Sequence, residues 1–190
     1  MSRGRGEGVS RGNRGCNIRR AEVSQADNKL SFGRPANLQA KDLLEVERIV
    51  LEGGEVNPRN VRDRLQQAVL IARLRDGDAV VAVAVVKRPA PSNVRNLRKK
   101  SSYESLSADF LELGYISVHP QHQRKKLGKW ITSEVVKQVS AEIPNLKLFA
   151  TTRKDSVRHI LSLNGFHQEG RQWPSTEHPG SNLDLWILTV

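Results

Sequence analysis

Cysteine is almost absent from this chain: among 190 residues only Cys16 carries a thiol. A lone thiol forms no internal disulfide framework and no cysteine-rich zinc site, and it suits a reducing compartment. Cys16 also stands in a basic stretch with no base beside it, so a nucleophilic role is not expected. No apolar run approaches the roughly 18 residues of a membrane-spanning helix, and the first residues contain no apolar signal segment. A soluble, cytoplasmic protein without a membrane partner is therefore expected. Aromatic residues make up 5% of the chain. Trp130, Trp173 and Trp186 fall in ordered segments or at their edges, where packing is the expected role rather than base stacking. Metal ligands are sparse too. His119 and His122 flank Pro120, but no nearby Cys, Asp or further His completes a site.

What the chain has in excess is positive charge, with a formal net value of +11. Six arginines (Arg3, Arg5, Arg11, Arg14, Arg19, Arg20) face one acid, Glu7, in the first twenty residues, which are also rich in Gly and Ser. Such a segment buries too little apolar surface to order itself, so residues 1–20 read as a disordered Arg/Gly-rich tail and residues 21–190 as one α/β domain. The tail is either an electrostatic contact for nucleic acid or a solubilising extension.

Periodicity orders the remainder. Apolar residues at 43, 44, 46, 50 and 51 give a first helix over Leu38 to Leu51 that stops at Gly53-Gly54. Asn57-Pro58 opens a second helix that runs to about Gln67. Val69 to Leu74 and Ala79 to Val86 read as strands joined by Asp76-Gly77-Asp78, the second so apolar that both its faces should be buried. Residues 89–107 read as a polar, basic loop. Further strands are expected around Leu146 to Thr151, after Asn164-Gly165, and over Leu183 to Val190.

Residues 112–131 carry the chemistry. An apolar strand places Leu111, Leu113, Tyr115 and Ser117 on one face and Glu112, Ile116 and Val118 on the other, and Pro120 ends it. Leu127, Ile131, Val135 and Val139 then recur every four residues, predicting an amphipathic helix from near Gln123. The first turn of a helix offers unpaired N–H groups and about half a positive charge, a ready seat for a diphosphate. Arg124, Lys125, Lys126 and Lys129 crowd that turn, although cations there are unfavourable by about 0.3–1 kcal/mol each. Either an anion normally sits among them, or they form a solvated basic face.

This stretch resembles motif A of the GNAT superfamily of acetyl-CoA-dependent N-acetyltransferases, a V-x-P strand end followed by Q/R-x-x-G-x-G/A. Val118, Pro120, Gln123 and Gly128 match it, with Lys126 standing at the first glycine. Residues 154–166 look like motif B, N-x-x-A-x-x-L-Y-x-x-x-G-F. Gly165 and Phe166 fit, while Lys154, Val157, Ile160 and Leu161 take the places of asparagine, alanine, leucine and tyrosine. The resemblance implies a GNAT fold: a mixed, mostly antiparallel sheet of about six or seven strands flanked by about four helices. It implies that the backbone of Ile116, Ser117 and Val118 holds the pantetheine of acetyl-CoA. The turn Gln123, Arg124, Lys125, Lys126, Leu127, Gly128 and Lys129 would hold the pyrophosphate, with Lys154 beside it. Arg158 is a candidate for the adenosine phosphate, a solvated helix face being the other reading.

An amine attacks only when uncharged, so a proton acceptor is sought. Glu112 lies eleven residues before Gln123, the offset of the glutamate base in some histone-type members of the superfamily. Among Phe110, Leu111 and Leu113 its carboxyl would be partly desolvated and raised. A strand-edge glutamate facing water or an arginine is the other reading. No general acid is assigned, since Leu161 takes the tyrosine position. The implied activity is acetyl transfer to a primary amine (a protein lysine or N-terminus, a small amine, or an aminoacyl-RNA) by direct attack in a ternary complex, by a monomer or homodimer. The alternative is an inactive GNAT-fold protein that binds nucleic acid or a protein partner, using the tail and the basic residues Arg88, Arg95, Arg98, Lys99 and Lys100.

Overall fold

The computed structural model describes residues 28–189. The expectations for the basic tail and for Cys16 lie outside those residues. Seven strands form one sheet in the order β1 (Asn28–Gly33), β2 (Ala68–Asp76), β3 (Ala79–Lys87), β4 (Leu111–Val118), β5 (Lys147–Thr152), β7 (Asn182–Thr189) and β6 (His167–Pro174). Every neighbouring pair is antiparallel except β4 with β5. This is the mixed sheet anticipated from the motifs. Five α-helices flank it, one more than expected: α1 (Ala40–Glu52), α2 (Val61–Gln66), α3 (Pro91–Ser101), α4 (Leu127–Glu142) and α5 (Asp155–Leu163). None of the described helices is long and apolar enough to cross a membrane.

β3 is buried on both sides, as its composition requires. Val83 and Val85 face Val46, Ile49 and Leu65 of α1 and α2. Ala82, Ala84 and Val86 face Ile131, Val135 and Val139 of α4 together with Leu161 of α5. The hairpin turn before it uses Gly77 at φ 58°, which suits a tight connection between antiparallel strands.

The α3 helix corrects the expected loop at 89–107. Pro91 opens it at the first helical position, and Val94, Leu97 and Ser101 point inward one turn apart. Their partners are Leu106, Phe110, Phe149, Trp173, Leu185 and Ile187, a third apolar cluster beneath β6 and β7. Arg95, Arg98, Lys99 and Lys100 hid this helix because the polar face outnumbers two aliphatic anchors. β1 was also unforeseen. It is an edge strand whose only apolar residues, Leu30 and Phe32, are half-buried against the main core. The tryptophans do pack: Trp173 is buried, and Trp130 and Trp186 lie partly buried on the α4 side of the sheet.

Motif B closes with a helix cap that fixes Gly165 and Phe166. The Phe166 N–H donates to Leu161 O at 3.1 Å and the Gly165 N–H to Ser162 O at 3.1 Å. Gly165 takes φ 82°. This left-handed cap satisfies the last carbonyls and turns Phe166 back onto Leu161. A tyrosine hydroxyl is thus absent at a position that here is fully buried core.

Candidate active site

The site begins where β4 leaves β5. The two strands pair only at Leu111↔Leu148 and Glu112↔Phe149. Beyond Glu112 they part, exposing one edge of β4 to a cleft of about 1030 Å³. That volume is of the order that takes an extended organic ligand.

On its other edge β4 carries a bulge. Val85 pairs with Gly114 and Val83 with Ser117, so Tyr115 and Ile116 together oppose Ala84. Tyr115 adopts φ 51°. A left-handed tyrosine costs about 1–3 kcal/mol and needs its surroundings to hold it. The extra residue shifts the alternation by one, which corrects the strand faces read from sequence. Ile116 and Val118 join Leu111 and Leu113 on the α4 side. Tyr115 packs toward α1, where Ser117 donates its hydroxyl to Ile49 O at 2.7 Å. Ser117 lines the cleft, and its hydroxyl is committed to α1. A side chain at Gly53 would meet Ser117 Oγ at 2.6 Å, so this close approach of α1 to β4 requires glycine.

The expected helix start at Gln123 moves to Leu127. A 3-10 turn, Pro120–His122, follows β4, with His119 Nδ1 accepting from the Gln121 N–H at 3.3 Å. Arg124 at φ 62° and Lys126 at φ 60° then break any helix. Lys126 is the N-cap and lies in the left-handed region, which explains why a glycine suits its place in the motif. Successive N–H groups around left-handed residues converge into an anion-binding concavity, here continued by the N-terminus of α4. Gln123 braces the turn by donating Nε2 to Val118 O at 3.4 Å. A side chain at Gly128 would touch Ile160 and Val118 at 3.4 and 3.6 Å, so α4 packs closely on β4 and α5. Backbone donors, the cations Arg124, Lys126 and Lys129 and an open strand edge in one cleft fit a diphosphate-containing thioester such as acetyl-CoA.

Ile116, Ser117, Val118, Gln123, Arg124, Lys126, Leu127, Gly128, Lys129 and Lys154 all line this cleft together with Glu112. Lys125 and Arg158 do not line it. Lys125 is exposed. Arg158 turns to the sheet, where its guanidinium binds the fully buried Asp184, along with Asp155 and Asn182 O. The hydrogen bond to Asp184 comes first in raising the Arg158 pKa above its usual value, against the effect of burial. The adenosine-phosphate role is therefore not favoured by its placement.

Several residues of the site were not legible beforehand. Lys87, at the end of β3, sits directly across from Glu112 and its Nζ lies 3.1 Å from Glu112 Oε1. The same ammonium stands 4.2 Å from the centroid of the Tyr115 ring, a cation–π contact. Glu112 is thus neither in an apolar surround alone nor paired with an arginine. The Tyr115 hydroxyl is buried and has no hydrogen-bond partner among the described residues. Farther along, Glu55 from the α1–α2 connection meets Arg153 at 2.7 Å and Lys154 at 2.9 Å, with His178 Nε2 at 3.8 Å. Burial works to raise the Glu55 carboxyl, but the Lys154 hydrogen bond and the charges of Lys154 and Arg153 prevail and hold it below its ordinary value. His119 and His122 remain a pair, with ring centroids 5.7 Å apart. No cluster of three metal-capable side chains occurs among the described residues.

No family model matches the sequence, and no curated protein matches it. The fold does have known relatives. The ribosomal-protein-S18-alanine N-acetyltransferase of Escherichia coli superposes with a TM-score of 0.62 at 15% identity, over 86% of this chain and 94% of that one. An acyl-CoA N-acyltransferase from Pseudomonas aeruginosa gives 0.63 at 10% identity, over 84% and 98%. A GNAT family acetyltransferase from Elizabethkingia anophelis, solved with acetyl-CoA bound, gives 0.58 at 9% identity, over 87% and 100%. The chain has the GNAT fold.

Proposed function

We propose that the protein is an acetyl-CoA-dependent N-acetyltransferase that passes the acetyl group to a primary amine by direct attack in a ternary complex. One observation carries this reading: the anion-binding turn, the unpaired edge of β4 and the Glu112 carboxylate open onto a single cleft. The turn at Gln123–Lys129 would hold the pyrophosphate. The parted edge at Ile116–Val118 would take the pantetheine amides as another strand would. Glu112, at the last paired position before the strands part, would accept the proton that the attacking ammonium must lose. A positioned base contributes about 10²- to 10⁴-fold.

Calorimetry with acetyl-CoA and with CoA, on protein freed of bound ligand, tests the first half. Micromolar binding is expected, and none up to millimolar concentration would move the reading to an inactive, partner-binding protein. Glu112→Gln tests the second half. Turnover should fall at least about tenfold with cofactor affinity retained; unchanged turnover across pH would remove Glu112 from the mechanism.

For the acceptor, the basic character of α3 favours an amine carried on an anionic polymer such as RNA. Arg95, Arg98, Lys99 and Lys100 populate this helix without a single acid. The apparent affinity for such an acceptor should fall steeply with salt, and a salt-independent KM would point to a small amine.

A further inference from the structure

We propose that Lys87 is an acceptor within the protein itself, and that the enzyme acetylates its own Lys87 Nζ. The proposal rests on the acetyltransferase reading above. Nothing in the motifs points to this residue, because it lies at the end of an otherwise apolar strand that precedes both in the sequence.

Three observations lead there. Lys87 lines the cleft alongside Glu112 and the open edge of β4. Its side chain is only 8% exposed, and its ammonium lies 3.1 Å from the carboxylate assigned as base. Gly114, which also lines the cleft, adjoins the pair: a Cβ there would be in ordinary contact, 3.6 Å from Lys87 Cε and Nζ and 3.6 Å from Glu112 Oε1. A primary ammonium is therefore already held by the carboxylate and the Tyr115 ring face, the chemistry with which a cationic acceptor would be held. An external amine must displace it or share the site.

The step balances without a further reactant. The Lys87 ammonium gives one proton to Glu112 and its lone pair attacks the thioester carbonyl. The N–C bond forms, the C–S bond breaks, and the departing thiolate takes up the second N–H proton as CoA is released. Glu112 returns its proton to water. The product is Nε-acetyl-Lys87, which has lost its charge and with it the ion pair to Glu112.

Burial makes the test selective. Uncatalysed acetylation follows exposure of the amine, so Lys87 should be among the slowest lysines to react. Lys125, on the exposed turn, is the reference, and Lys154 at 41% side-chain exposure is a second amine in the same cleft. The full-length protein is incubated with isotopically labelled acetyl-CoA and its peptides are quantified by mass spectrometry. Labelling of Lys87 at least about tenfold above Lys125, falling about tenfold or more in Glu112→Gln, is the expected result. Lys87→Arg should lose the label from that peptide while still binding acetyl-CoA in calorimetry. If acetyl-CoA binds, or an external amine is acetylated, while wild-type Lys87 stays unlabelled or no faster than Lys125, the proposal is overturned and the acetyltransferase reading stands. If acetyl-CoA does not bind at all, both fall.

Discussion

The two ends of the cleft handle positive charge in opposite ways. Around the start of α4, Arg124, Lys126 and Lys129, with Lys125 just outside the cleft, make no ion pair with any described residue. Two of them sit on strained, left-handed backbone. Elsewhere along the cleft, Lys87 is paired with Glu112, and Arg153 and Lys154 share Glu55. Exposed cations gathered at a helix N-terminus repel one another and the helix dipole, so the first arrangement suits an anion supplied from outside. The second is already neutralised from within, and at Lys87 and Glu112 that suits a place where a proton is moved.

The largest effect should come from adding a negative charge at the unpaired end. Gly128→Glu puts a carboxylate into the concavity, and like charges brought together cost several kcal/mol. Acetyl-CoA affinity should drop by at least about a hundredfold in calorimetry, with the circular dichroism of the wild type retained. Retained affinity would mean that the four cations are an ordinary solvated face.

The paired end should answer in stability before it answers in binding. Lys87 and Glu112 are 8% and 16% exposed. Lys87→Met strands a mostly buried carboxylate, a change worth about 3–5 kcal/mol. Urea unfolding should show that loss, and Lys87→Met combined with Glu112→Leu should recover most of it. A double variant as unstable as the single one would show that Lys87 acts through packing and not through its partner.

What could be read in advance follows the same division. The apolar run of β2, the uninterrupted β3, the Asp-Gly-Asp turn and the helix cap at Gly165 are local patterns, and each stands where it was expected. The cation-rich turn before α4 was legible too, because four cations and a glycine lie within seven residues. The surroundings of Glu112 were only half visible. Glu112 could be singled out by its offset, but Lys87 reaches it through the β3–β4 register, which no local pattern reports. Arg153 and Glu55 meet across 98 residues of chain. The bulge at Tyr115–Ile116 defeated a strict period of two, since one additional residue exchanges the faces of everything that follows.

Acid should separate the two ends further. The Glu55 carboxyl lies below its ordinary value of 4.5 in the folded protein. A group with a depressed folded pKa stabilises the fold fully above its unfolded value, and that contribution is lost as pH falls through the folded one. Wild type should therefore exceed Glu55→Gln in Tm at neutral pH, with the gap closing as pH drops below about 4.5. A gap unchanged down to the pH of general unfolding would mean that Arg153 and Lys154 do not hold Glu55 ionised.

The smallest effect is the most discriminating, because it moves stability and binding in opposite directions. Lys126 occupies a left-handed position at φ 60°, which costs a side-chain-bearing residue about 1–2 kcal/mol that glycine avoids. Against this, glycine loses more freedom on folding, so Lys126→Gly should gain only about 1 kcal/mol, or about 2–4 °C in Tm. The same change removes one ammonium from the concavity. It should weaken acetyl-CoA binding about two- to fivefold, in keeping with a single exposed charge at a helix terminus. Gains in both would show that the lysine obstructs the phosphates and the motif's glycine is the better ligand. A loss of stability without a change in affinity would mean that Lys126 serves the fold alone and that the anion is held by backbone N–H groups and the remaining cations.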